Sequence, residues 1–349
     1  MNDNNSYIKK IHKEFYQGKK IKWTDRWAST FKKFIYSHDN KDSVLDVGCG
    51  NGSFIKECKE KGFNDCHATD IITVELGIAD KHPDITYHSS PISELEIPGK
   101  KFNIVTSFDC LEHLLEDEVD ASLDKIFSLA SDFICLTITH TKSGEKLKDG
   151  TNLHQTVKPW SWWEEKFEQR GTLFQKYNTM SPLRSNSIWS PKPILYCDID
   201  STINKHWKRI QRFSVNGKCN WDKAFSEVEI MKDEVLEGSH EALEKLSKIY
   251  NIVFLTARPF PDAERITKAW LSANNFVYSR LVVVKTSKAK LPYVNKKGSL
   301  FIDDLARKHE SHPPYTILYH DVIRELDQKG VNYIRFKGDW QEVLEELGL

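Results

Sequence analysis

Three short apolar runs in the C-terminal half of the chain each stop at a residue type that does chemistry. Ile194–Cys197 precedes Asp198 and Asp200, Ile252–Leu255 precedes Thr256, and Leu300–Ile302 precedes Asp303 and Asp304. Apolar runs of this length are what parallel strands covered on both faces look like, and such strands present ligands at their carboxyl ends. Four carboxylates and a hydroxyl are therefore expected to converge at one edge of a sheet. Such carboxylates repel one another unless a cation sits among them, and hard oxygen ligands suit magnesium. The spacing of Asp198 and Asp200 also places an acid two residues beyond a candidate nucleophile, on the same side of the strand end, where it could protonate a leaving oxygen. The pattern points to a site that handles phosphate.

The first half carries a separate signal. The run Val44–Val47 contains Asp46 and leads into Gly48, Gly50, Asn51 and Gly52. Glycines in a turn between strand and helix let a ligand approach backbone N–H groups. The spacing lacks the two intervening residues of a GxGxxG fingerprint, and an acid precedes the first glycine, so a dinucleotide site fits less well. Asp70 ends the next apolar run, where an acid accepts hydrogen bonds from ribose hydroxyls. Two sites are expected in one chain.

A length of 349 residues suits two α/β domains. Lys plus Arg and Asp plus Glu are equal at 50 each, so no overall field draws a polyanion and nucleic acid is not the favoured partner. Seven cysteines without a CxxC pair read as reduced thiols, and the expected location is cytoplasmic. No run has the length of a membrane span, and the first residues show no basic segment followed by an apolar one.

Along the chain, residues 1–38 place Tyr16, Trp23, Trp27 and Phe31 at near-helical spacing and predict a helical lead-in. Strand and helix signals alternate over 39–180. Ser, Asn and Pro concentrate over 181–192, which reads as a linker. A second domain spans 193–349, with a polar and aromatic stretch, Asn204 to Val235, as a small cap or flap. The fold class is α/β, with two doubly wound sheets.

The segments Val44–Phe54, Ala68–Asp70 and Phe102–Leu114 resemble class I S-adenosylmethionine-dependent methyltransferases. The resemblance implies that Asp46, Gly48, Gly50, Asn51, Asp70 and Asp109 bind S-adenosylmethionine. No acid occurs near Ser89–Pro91, where many relatives hold one beside the adenine. The sulfonium already makes the methyl group electrophilic, so a base is required only for a hydroxyl acceptor. His113, His140 and His154 are available. His113 reads as structural, whereas His154, in the loop Gly150–Gln155, is the candidate base or orienter. Trp160, Trp162 and Trp163, at helical spacing with Phe167, read as core rather than as a sugar-stacking platform.

In the second half, Asp198–Thr202, Leu255–Arg258 and Phe301–Asp304 resemble the motifs of haloacid dehalogenase superfamily phosphatases. The resemblance implies Asp198 as nucleophile, Asp200 as acid and base, Thr256 as a phosphate donor, and a magnesium site drawn from Asp198, Asp200, Asp303 and Asp304. It also implies a lysine, with Lys285, Lys288 and Lys290 as candidates. Lys288 is preferred because it opens a helix facing the strand ends.

The leading expectation is a bifunctional enzyme that methylates a small molecule or sugar derivative at oxygen and hydrolyses a small phosphomonoester. A nucleotide or nucleic-acid end-processing enzyme, with a phosphatase half similar to that of polynucleotide kinases, is one alternative. A methyltransferase carrying a non-catalytic module is another.

Overall fold

A computed structural model describes residues 29–71, 82–146, 149–177 and 183–349. Tyr16, Trp23 and Trp27 of the expected lead-in lie outside these residues. The chain divides into two compact units, Met1–Pro191 and Lys192–Leu349. No helix among the described residues is long and apolar enough to cross a membrane.

In the first unit, α1 (Ser29–Tyr36) buries Phe31, Phe34 and Ile35, three positions on one helical face. Then follow β1 (Ser43–Val47), α2 (Ser53–Glu60), β2 (Asp65–Thr69), β3 (Thr86–His88) and β4 (Phe102–Phe108). The unit continues with α3 (Glu116–Leu129), β5 (Ala130–Thr139), α4 (Trp160–Glu168), β6 (Thr172–Tyr177) and β7 (Arg184–Ser190). The sheet order is β3-β2-β1-β4-β5-β7-β6. Strands β1 to β5 pair in parallel, whereas β7 runs antiparallel between β5 and β6. Every residue of β1 is buried, as expected for a strand covered on both faces. Trp163 and Phe167 of α4 are fully buried, with Trp160 and Trp162 packed on the same core.

The linker expected over 181–192 requires correction. Most of it is β7, an internal strand whose Asn186, Ser187 and Ser190 are buried. Ser and Asn favour turns when only local preference acts. Here both neighbouring strands supply backbone partners, and Thr137 donates a 2.9 Å hydrogen bond to the Asn186 side chain. Tertiary pairing outweighs the local preference.

The second unit opens with β8 (Ile194–Cys197). An insert follows, made of α5 (His206–Arg212), the hairpin β9 (Ser214–Val215) and β10 (Lys218–Cys219), α6 (Trp221–Ala224) and α7 (Glu227–Ile230). Then come α8 (Ser239–Ser247), β11 (Asn251–Ala257), α9 (Ala263–Ala273), β12 (Arg280–Val284), a 3₁₀ turn (Ser287–Lys290) and α10 (Leu291–Val294). The unit closes with β13 (Ser299–Asp303), α11 (His320–Gln328), β14 (Tyr333–Arg335) and α12 (Trp340–Glu346). Its five strands, ordered β12-β11-β8-β13-β14, are all parallel. Leu195, Cys197, Phe254, Trp270, Leu300 and Trp340 belong to its core. Because β8 lies between β11 and β13, the three chemistry-bearing run ends open at one edge of the sheet.

Candidate functional site

In the second unit, Asp198, Asp303 and Asp304 are all buried. Each offers a carboxylate oxygen within 4.8 Å of the others. Lys290, also buried, donates 2.7 Å hydrogen bonds to Asp198 Oδ1 and Asp303 Oδ2. Burial alone would favour neutral Lys290, but the two carboxylates outweigh it and keep the ammonium charged. Burial raises the Asp198 carboxyl well above its usual range, with Asp303, Asp200 and Asp304 adding to the rise and Lys290 opposing it. Asp304 is raised to about 6, first by burial.

Two buried polar atoms in this cluster have no hydrogen-bond partner: Asp304 Oδ2 and Thr256 Oγ1. His309 Nε2 lies 3.5 Å from that Asp304 oxygen, too far for a good hydrogen bond. A buried polar atom without a partner is costly, so both could take an external group. The three clustered carboxyl groups offer hard oxygens that fit a divalent cation such as magnesium. The surrounding cleft holds about 150 Å³.

Two expectations for this site are corrected. Lys288 is not the lysine at the carboxylates: it points to Glu325, at 3.4 Å, with 68% of its side chain exposed. Asp200 is not in the acidic cluster either, because Arg258 grips it with Nε at 2.9 Å and Nη2 at 2.7 Å. Burial would raise the Asp200 carboxyl, but the guanidinium outweighs burial and holds it well below the usual range.

In the first unit, the loop after β1 has Gly48, Gly50 and Gly52 at φ of 75°, 53° and 76°. Thr69 O accepts from Gly48 N and Cys49 N at 2.8 and 3.1 Å, and Asp70 Oδ2 accepts from Gly50 N at 3.0 Å. Asp70 thus steadies the loop. Asn51 Oδ1 accepts from Ser53 N at 3.1 Å, at the start of α2. Asp46 is buried beneath the loop and accepts a 2.7 Å bond from Thr106 Oγ1. Burial pushes its pKa up to about 7, with Thr106 opposing and Asp70 adding to the rise.

Beyond β4, Asp109 adopts φ 48° and accepts from Arg184 Nη2 at 2.9 Å, Arg184 Nε at 3.1 Å and Thr139 Oγ1 at 2.9 Å. Neighbouring Glu112 is fully buried and accepts from Thr139 N at 3.1 Å. Burial first, then Asp109, raises its carboxyl well above the usual range. The Glu112 carbonyl also accepts from Gln155 N and Thr156 N at 2.9 and 3.0 Å, which docks the His154 loop. His154 Nδ1 lies 2.5 Å from Thr141 O, and its ring meets that of His113 edge-on at 4.9 Å. A carbonyl can only accept, so this contact places a proton on Nδ1, and in the neutral ring Nε2 is then the acceptor.

Residues 15–179 match the family model described as a methyltransferase domain. That segment is a methyltransferase domain. The chain matches none of the curated proteins. Solved structures similar to it include magnesium protoporphyrin IX methyltransferase from Synechocystis PCC 6803, at 15% identity over 54% of this chain and 97% of that chain, with a TM-score of 0.38. An amino pentose methyltransferase from Micromonospora echinaspora is 14% identical over 52% of this chain and 96% of its own, with a TM-score of 0.39. The second unit lies outside the matched segment.

Sequence reasoning missed Glu112 and Arg184 in the methyltransferase domain. The first stood beside the more conspicuous His113, and the second lay within the supposed linker. Gly48 has no room for a side chain, since a Cβ would sit 2.3 Å from Cys110 Sγ at a φ that side chains rarely adopt. Gly48→Ala is expected to lower stability by about 2 kcal/mol or more, read by thermal unfolding, and to weaken donor binding in calorimetry.

Proposed function

We propose that the chain joins an S-adenosylmethionine-dependent methyltransferase to a magnesium-dependent phosphomonoesterase. The observation that supports the second activity is Lys290 bridging Asp198 and Asp303 at the carboxyl ends of adjacent parallel strands, beside a Thr256 hydroxyl with no partner. Asp198 attacks phosphorus, the ester P–O bond breaks, and an aspartyl-phosphate forms on the same carboxylate. Thr256 Oγ1 and Lys290 Nζ hold the phosphoryl oxygens in place. Asp200 acts as the acid towards the leaving alcohol only after it has itself taken up a proton, which requires Arg258 to loosen its two-pronged grip, and as a carboxylate it later takes a proton from the attacking water. Asp198, Asp303 and Asp304 would hold the magnesium ion, which when bound supplies positive charge against the phosphoryl oxygens.

In the methyltransferase domain, the Gly48–Gly52 loop, Asp46 and Asp70 bind the donor. Methyl transfer goes to a hydroxyl of a small molecule or sugar derivative, and His154 Nε2 accepts the hydroxyl proton or orients that hydroxyl. His154→Ala is expected to slow methyl incorporation by about 10² to 10⁴-fold, with donor affinity unchanged. Unchanged transfer in that variant removes His154 from the reaction.

A further inference from the structure

Trp221, which lines the cleft in the second unit, ends a column of aromatic rings that the phosphate chemistry does not use. Trp221, on α6, stacks on Phe225 at 5.5 Å and 14° between planes, and Phe225 stacks on Phe260 at 4.9 Å and 20°. Phe260 lies in the turn between β11 and α9, so the column is tied to the sheet as well as to the insert. The Arg209 guanidinium sits 5.3 Å over the Phe225 ring. Arg209 is itself buried and fixed by Asp233, through Nε at 2.8 Å and Nη2 at 3.0 Å. A buried ion pair needs good geometry to offset its desolvation, and this one also pins the Ala224 carbonyl at the end of α6. Arg209 and Asp233 thus brace the Phe225 ring of the column from within the protein.

Trp221 is the outer end of that column. It keeps 47% of its surface exposed and lines the same cleft as Asp198, Thr256 and Lys290. A lone exposed Trp would carry no weight, since scattered apolar residues are ordinary on surfaces. This one ends a stack of three rings at a cleft lined by carboxylates and a lysine. Exposed Arg307 and Lys308 line the cleft too and favour an anionic ligand.

We propose that the second unit selects phosphomonoesters whose alcohol carries a flat aromatic ring, specifically nucleoside monophosphates. The base stacks on Trp221 while the phosphate rests beside Asp198, Thr256 and Lys290. The inference rests on the phosphatase reading for the position of the phosphate. Stacking is tolerant of base identity because every base has a π face, so purine and pyrimidine nucleotides are treated alike.

The test measures binding of adenosine monophosphate, uridine monophosphate and glucose 6-phosphate to the full chain by calorimetry, with magnesium present. The Asp198→Asn background prevents turnover. Both nucleotides are expected to bind more tightly than the sugar phosphate, and Trp221→Ala is expected to weaken them about tenfold while leaving glucose 6-phosphate unchanged. Trp221→Phe restores most of the difference. Equal weakening of all three ligands, or no preference for nucleotides with Trp221 intact, overturns the inference. Phosphate release by the unmodified protein is read in parallel. A preference that depends on Trp221 without any phosphate release defeats the phosphatase reading alone, and release at equal kcat/KM from nucleotide and sugar defeats the inference alone.

Discussion

If the second unit is the proposed phosphomonoesterase, Asp198→Asn is expected to lower magnesium-dependent phosphate release by at least about 10³-fold, because an amide cannot form the acyl-phosphate bond that this mechanism requires. The side chain keeps its size, and its Oδ1 can still accept the hydrogen bond from Lys290. The folded state, checked by circular dichroism and thermal unfolding, is therefore expected to survive. Methyl incorporation by the other domain is the internal control, since Asp198 belongs to a separate compact unit. Full hydrolytic turnover in this variant would falsify the nucleophile assignment.

Lys290→Met carries the second large effect. The ammonium is the only group bonded to both Asp198 and Asp303 among the described residues, and all three side chains are at least nine-tenths buried. Removing it leaves two buried carboxylates facing each other without their counter-charge, an error that costs about 3–5 kcal/mol in comparable buried pairs. Denaturant unfolding of the full chain reads that loss. Added magnesium is expected to recover part of it, since a cation among the carboxylates replaces the missing charge. Lys288→Met is the matched control. Its ammonium is largely exposed and pairs with Glu325, so its loss is expected to change stability by less than about 1 kcal/mol and leave phosphate release intact. The reverse pattern, with Lys288 sensitive and Lys290 silent, would return the role to Lys288.

These two lysines also show where sequence reasoning stops. Both lie in the 3₁₀ turn Ser287–Lys290. With three residues per turn, positions two apart point in widely different directions, so only one can face the strand ends. Its choice depends on how the turn is docked, which no local pattern records. Asp200 shows the same limit. Its two-residue spacing from Asp198 was legible, but its capture depends on Arg258 reaching it from beyond β11. Arg184 was hidden for another reason. Ser, Asn and Pro around it carry a turn signal, and only the ladders of β5 and β6 override that signal.

The sequence by itself determined the apolar strands β1, β2, β4, β8, β11 and β13 and the polar residues that stand in or just after them. Buried parallel strands need apolar runs, and the polar residue within or just after such a run is fixed by the chain alone; thus the positions of Asp46, Asp70, Asp198, Thr256 and Asp303 could be read directly. Only the tertiary structure decided which charges meet: Lys290 with Asp198 and Asp303, Arg258 with Asp200, and Arg184 with Asp109. Coulombic and hydrogen-bond partners act over a few ångströms in space, and the chain brings those ångströms together from residues up to 92 positions apart.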